Sequence, residues 1–403
     1  MAQLLSQIRK QTLTILLSLF LAPFVLILIG DIIGSNIPLY TFGLSLKDFF
    51  TMWTAIFGVF GIVYNIYQNQ RRISQQEKQL DGQSKQIEYQ NMQLELQAKS
   101  ERNSRFAKGV ELLGSNQESA RTGGVYNLIF LAKEYPNEFK ETVFNILSSH
   151  IRSITSINDY KKEFNLNPSN EIQTLMLLLF NSDDNFFSDL EGDLSNAYLA
   201  GIKLTGANLF RANLSYTNLI KADLSEVNMS EADLSRANLS NALLINTDMS
   251  RANLHYTDIS RAVLSQAKLI EADLYKVILF KAEMFEANLL KATLENANIS
   301  EANLIETIFC QADLTNANLT KADLFKANLS KAKLIKANMY QSDLSQSDLT
   351  FANLSYANLQ YSKLDYSNLK KTVLLNTNLR NVDLKNVDLS VTNREQALSL
   401  IHI

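Results

Sequence analysis

Residues 321–339, KADLFKANLSKAKLIKANM, say one phrase four times: a small residue, then Asp, Asn or Lys, then Leu or Met, recurring every five residues. A period of five suits neither common element. An α-helix turns about 100° per residue, so leucines five apart lie roughly 140° apart and build no apolar face. A strand alternates with period two, so every second leucine would face water. Within one unit, however, Ala327 and Leu329 are two apart and share a face. The next small residue, Ala332, comes three after Leu329, so the chain must turn between them. Each unit reads as a very short extended segment followed by a corner, a pattern that buries a core only by stacking on itself.

The register is unbroken. From Leu194 to Leu389 every fifth residue is Leu, Met, Ile or Phe, which makes forty units. Two residues earlier stands Ala, or mostly Ser, Thr or Val. No Gly or Pro follows Gly206, so the corners must take a form that ordinary residues tolerate, helped by Asn and Asp side chains bonding local backbone. The unit A-(D/N)-L-x-x, as in ANLFR, ADLSE and ANLSK, resembles the pentapeptide-repeat family. That resemblance implies a right-handed β-helix of square cross-section, four units per coil, with Leu inside and the small residue packed beside it. Forty units would make ten coils, about 50 Å at the roughly 4.8 Å spacing of neighbouring strands. Such a solenoid needs covered ends. After Leu389 the period stops, and Thr392–Glu395 or Asn393–Gln396 suit the start of a helix that would lay Ala397, Leu398 and Ile401 on the last coil.

The front of the 403-residue chain differs in character. Residues 11–30 carry no charge until Asp31, and a second uncharged run extends from Phe49 through Tyr67. Both are long enough to cross a bilayer, with spans expected at 12–30 and 49–67. Arg9 and Lys10 before the first, and Arg71 and Arg72 after the second, outnumber Lys47 between them. The positive-inside rule then predicts a multi-pass membrane protein, in an inner, plasma or thylakoid-type membrane, with both termini cytoplasmic. The single cysteine, Cys310, agrees with a reducing compartment.

The expected organisation is a transmembrane hairpin (1–70), a juxtamembrane segment (71–104), a small helical region (105–188), a solenoid (189–392) and a C-terminal cap (393–403): an α plus β-solenoid fold. In the juxtamembrane segment Ile73, Leu80, Ile87 and Leu94 recur every seven, with Gln76, Gln83, Gln90 and Gln97 three after each. It reads either as a weak coiled-coil seam or as a solvated single helix. The helical region contains RFAKGVELLGS and RTGGVYNLIFLAK. Through Arg105, Phe106, Gly114, Ser115, Gly123, Gly124 and Tyr126 it resembles bacterial membrane-anchored members of the same family. Gly123 and Gly124 lack the Lys-Ser/Thr of a phosphate loop and fit helix packing instead.

No catalytic constellation emerges, and neither enzymatic activity nor a cofactor or metal is expected. His150, His255 and His402 lie far apart in sequence without ligand spacing. Asp223, Asp233, Asp273 and Asp323 occupy the repeat's own outward position, and Cys310 has no histidine in its coil. The outward positions do carry deviations. Ile270, Tyr275, Phe280, Phe285 and Leu290 follow core residues around one coil, with Ile305 and Phe325 stacked over Phe285. Phe351, Tyr356, Tyr361 and Tyr366 form a second belt. Lys321, Lys326, Lys331 and Lys336 make a basic collar with Lys333 beside it. Contiguous exposed apolar surface marks a contact site, and local packing over neighbouring corners is the other reading.

Two functional readings follow. The first is a membrane-anchored, non-enzymatic scaffold whose partners are the lipid bilayer, an unidentified protein and a second copy of the chain. The alternative is a regulatory inhibitor of a nucleic-acid enzyme such as a DNA topoisomerase, acting through DNA-like shape. That role needs a strongly acidic solenoid, whereas Glu191–Arg394 holds 22 acidic and 21 basic side chains. Direct contact with nucleic acid is not expected.

Overall fold

The computed structural model describes residues 14, 18, 21, 46–181, 185–384, 386 and 387. The chain divides into two compact units, Met1–Ala98 and Lys99–Ile403. Most of the first expected span and the C-terminal cap at 393–403 lie outside the described residues.

Helix α1 runs from Leu46 to Leu113 without interruption. It contains the second expected span, and here the sequence expectation is corrected. Among the described residues no helix is long and apolar enough to cross a membrane. The run 49–67 is free of charge but diluted by Thr51, Thr54, Tyr64, Asn65 and Tyr67, and continues into Gln68, Asn69, Gln70 and Arg71. Lack of charge is a weaker criterion than net transfer free energy, to which hydroxyl and amide groups contribute unfavourably. A multi-pass membrane placement is therefore not supported, nor is the bilayer contact that rested on it.

Among the described residues four shorter helices lie between α1 and the solenoid: α2 (Glu118–Glu134), α3 (Pro136–Ser156), α4 (Asn158–Glu163) and α5 (Asn170–Phe180). Pro136 stands in the first turn of α3, where its missing N–H leaves no helical bond unmade. The Ser169 hydroxyl accepts from Ile172 N at 3.3 Å and caps α5. Leu128, Leu131, Val143, Phe144, Leu147, Ile151, Ile172 and Met176 are buried almost completely. Gly124 sits where the end of α1 passes closely: a Cβ there would lie 2.8 Å from the carbonyl oxygen of Gly109.

From residue 193 onward the chain winds as a β-solenoid. Single-residue parallel bridges link each unit to the one twenty residues on, from Asp193↔Asn213 through Lys363↔Asp383. An offset of twenty at a period of five means four units per coil. Pairing is confined to one residue per side, so no extended strand forms among the described residues. Every fifth residue from Leu194 to Leu379 is buried on the axis, and the residue two before it, Ala, Val, Ser or Thr everywhere but Gly192 and Ile202, is buried beside it. Contacts along the axis are thus between identical positions of adjacent coils, and stability is a sum over nearest neighbours.

The corners carry the main surprise. Across each one the small residue donates back to the preceding core carbonyl, as Ala197 N does to Leu194 O at 3.1 Å. The residue two after the core position has a positive φ, close to +59° at Tyr216, Arg236, Lys321 and Phe351. A three-residue-back bond with positive φ at the third position is the signature of a type II turn, which normally wants Gly or Asn there. Here Lys, Arg, Glu, Gln and Tyr fill most of those places. The residue before is held by Asx bonding: Ser215 N, for instance, donates to Asn213 Oδ1 at 3.1 Å. The expected Asn and Asp corner bonding is present, but the left-handed conformation falls on other residues.

Candidate protein-contact surface

The first coil is closed by the helices. In later coils the bridge residue donates its N–H to the coil before, as Asn213 does to Gly192 O at 2.8 Å. The first coil has no coil before it, and helical groups supply acceptors instead. Tyr198 N donates to Thr155 Oγ1 of α3 at 3.2 Å, Lys203 N to Gln173 Oε1 of α5 at 3.1 Å, and Asn208 N to Phe180 O at 2.8 Å. Arg152 pairs with Asp193 at 2.6 Å. The helical region is therefore the solenoid's N-terminal cover, a role the sequence alone did not disclose. This end is thus covered by the helices, and the solenoid's sides carry the exposed side chains.

Side faces are read in columns twenty residues apart. One corner column carries an ion-pair ladder, with Arg211 to Glu231 at 2.7 Å and Arg251 to Glu271 at 3.1 Å. The next carries a cation–π ladder: the Arg236 guanidinium lies over Tyr216 and Tyr256, and Lys276 lies over Tyr256. The first ladder neutralises its charges internally, and the second covers its cations with aromatic rings.

The belt at 270–290 is only partly open. Ile270, Tyr275, Phe280 and Leu290 are half-buried, as are Ile305 and Phe325, while Phe285 is exposed. Tyr275 packs against His255 and Tyr256, Lys281 lies over Phe280, and Lys326 lies over Phe325. Phe351, Tyr356, Tyr361 and Tyr366 are more open, between 48% and 70% exposed. They stand at four successive corners, so one flat partner cannot touch all of them. Of the basic collar, Lys326 pairs with Glu306 at 3.3 Å and Lys333 with Asp313 at 3.0 Å.

One face combines both features. Between the corners at 351 and 356, three stacked units read KAKLIK (331–336), FANLSY (351–356) and KTVLLN (371–376), with no carboxylate among them. Bridges Lys333↔Asn353 and Asn353↔Val373 hold them in register. Lys331, Lys336, Phe351, Tyr356 and Lys371 are exposed, and the Lys371 ammonium lies 4.9 Å from the Phe351 ring centroid. Aromatic area flanked by cations on a rigid scaffold offers apolar contact together with attraction for carboxylates.

The remaining chemistry is sparse. Among the described residues no cluster of His, Cys, Asp and Glu could hold a metal ion. His150 and Arg121 both meet the buried Glu171 carboxylate, at 3.1 and 2.7 Å, inside the helical core. Burial pushes the Glu171 carboxyl up, but hydrogen bonds from His150 and Arg121 outweigh this and hold it below the usual range. His255 pairs with Asp273 on the solenoid surface at 2.6 Å. Cys310 is half-buried, and His402 lies outside the described residues.

Segments between residues 193 and 390 match the family model described as pentapeptide repeats, in eight copies. No curated protein matches this chain. Among solved structures it is similar to HetL, a pentapeptide repeat protein involved in heterocyst differentiation regulation from the cyanobacterium Nostoc sp. strain PCC 7120. The two are 35% identical over 48% of this chain and 86% of that one, with a TM-score of 0.22. Full-length QnrB1, a plasmid-mediated fluoroquinolone resistance protein, is 18% identical over 49% of this chain and 94% of its own, with a TM-score of 0.30. A pentapeptide repeat protein from the Arabidopsis thaliana thylakoid lumen is 24% identical over 34% and 68%, with a TM-score of 0.14.

Proposed function

We propose, from the premise that the chain belongs to the pentapeptide-repeat family, that it is a non-enzymatic interaction scaffold whose solenoid binds an acidic protein segment. One observation carries this reading: the carboxylate-free face at 331–336, 351–356 and 371–376 with its exposed Phe351, Tyr356 and three lysines. Charge complementarity steers such an encounter and aromatic anchors supply contact area. The solenoid, read as right-handed and square in section as the family resemblance implies, holds these side chains at fixed spacing, so little ordering entropy is lost on binding. Inhibition of a nucleic-acid enzyme by charge mimicry has less support, because the ladders at Arg211–Glu231 and Arg251–Glu271 alternate in sign.

A photoreactive residue at Tyr356 of the full chain tests this. The expected product is an adduct with an Asp/Glu-rich segment of another protein, lost when Lys331→Glu and Lys336→Glu are combined. A repurified partner should bind the wild type directly and less tightly as salt rises. Identical adducts from Tyr356 and from a control position such as Asn241, or binding untouched by the charge reversal, would overturn the reading.

A further inference from the structure

Helix α1 shows a regularity longer than the four-residue heptad row read from the sequence. Met52, Val59, Ile66, Ile73, Leu80, Ile87 and Leu94 follow one another at intervals of seven, and every one is exposed. A straight α-helix drifts by about 20° per heptad, so six such intervals would wind the row about 120° around a lone helix. No flat face could bury it. A left-handed supercoil of two helices keeps such a row on the contact seam throughout.

The second seam position selects the arrangement. Three residues after each row member stand Ala55, Ile62, Asn69, then Gln76, Gln83, Gln90 and Gln97. In a parallel, in-register pair each glutamine meets its own copy, and an amide both donates and accepts. Apolar layers then meet apolar layers. An antiparallel pair would set leucines and isoleucines against glutamines and leave amides without partners. The change from Ile62 to Asn69 also fixes the register, because a one-heptad slip would place Asn69 against Ile62. Arg72 and Glu77 flank the seam on opposite sides, five residues apart, and such flanking positions face each other across a parallel pair. The ion pair between Lys85 and Asp81, at 2.8 Å, lies away from the seam and does not compete.

We infer that α1 is one half of a parallel, in-register coiled coil between two copies of this chain, its seam running from Met52 to Gln97. The partner is the same helix of a second copy, and the proposal does not depend on what the solenoid face binds.

The test uses the full chain with Cys310→Ser, so that no native thiol remains. Gln83→Cys places a thiol on the seam, and Lys78→Cys places one on the opposite side of the helix. Under denaturing, non-reducing conditions after mild oxidation, Gln83→Cys is expected to run as a disulfide-linked dimer and Lys78→Cys as the unlinked 45.5 kDa chain. In the wild-type background, Leu80→Asp with Ile87→Asp is expected to abolish dimer seen by chemical crosslinking, while far-ultraviolet circular dichroism of the solenoid is retained. Equal disulfide yield at positions 78 and 83 overturns the proposal. So does a dimer that survives the two aspartates, or a wild type that stays monomeric.

Discussion

A Cβ on Gly201 would overlap the main-chain carbonyl of Leu166, which leads into α5. Gly206 is the next corner of the first coil, with the same positive φ and open space around it. Since most later corners hold side chains at positive φ, strain alone does not explain glycine at 201. Close docking of the helical cover does. Gly206→Ala should therefore cost about 1 kcal/mol of left-handed strain, and Gly201→Ala an additional 1–3 kcal/mol or so of overpacking. Hydrogen exchange of the amides of Tyr198, Lys203 and Asn208 should rise strongly in Gly201→Ala and little in Gly206→Ala.

Two serines in the C-terminal coils sit in the wrong solvent. The Ser347 and Ser362 hydroxyls are buried without a hydrogen-bond partner, at the position most units give to alanine. In contrast, Thr257 Oγ1 at an equivalent position donates to Leu234 O of the coil before at 2.8 Å. Ser347→Ala and Ser362→Ala should each stabilise the solenoid by about 1 kcal/mol, whereas Thr257→Val should destabilise it by a similar amount. Denaturant midpoints of the three variants check the opposite signs.

The axis was legible in the sequence because burial repeats at one residue in five, and Leu194 through Leu379 lie inside as that spacing requires. The corner conformation left a fainter trace. None of the described positive-φ residues beyond the glycines is Val, Ile or Thr, a depletion that stands out only once the turn position within the unit is known. The N-terminal cover was not legible, since Thr155, Gln173 and Phe180 meet the first coil through folding and share no local pattern. The expected span at 49–67 failed because counting charges ignores Thr, Asn and Tyr. For the contact surface, reading along the chain grouped Phe351, Tyr356, Tyr361 and Tyr366 into a belt. That belt stands on four successive corners, as a period of five implies, whereas stacking joins Lys331, Phe351 and Lys371, residues twenty apart.

Glu171 ties α5 to α2 and α3 through Arg121 and His150. Glu171→Gln would leave the partly buried Arg121 guanidinium without its counter-charge and should cost about 3 kcal/mol. The pH dependence has a definite sign. The carboxyl is held below its ordinary value of 4.5 in the folded chain. Its contribution to stability is thus fully present above that value and is lost as pH falls through the lower, folded one. Acid titration of unfolding should show this loss in the wild type and lack that component in Glu171→Gln.

Lys221 gives the sharpest test of the corners. It sits at φ +56° and donates its N–H to Ser240 O of the next coil at 3.1 Å. Left-handed backbone disfavours an ordinary L-residue by about 1–2 kcal/mol, and asparagine relieves part of that because its short side chain bonds locally. Lys221→Asn should accordingly stabilise the chain by several tenths of a kcal/mol, an improvement bought by losing a charge and burying nothing. Lys221→Ile, with its branch at Cβ, should lose about 1 kcal/mol or more at the same place. Because coils interact only with their neighbours, the exchange protection of coils near residue 221 should change while that near residue 351 stays put. Equal stabilities for the Asn and Ile variants would mean that the turn relaxes to negative φ, and the type II description of the corners would have to be abandoned.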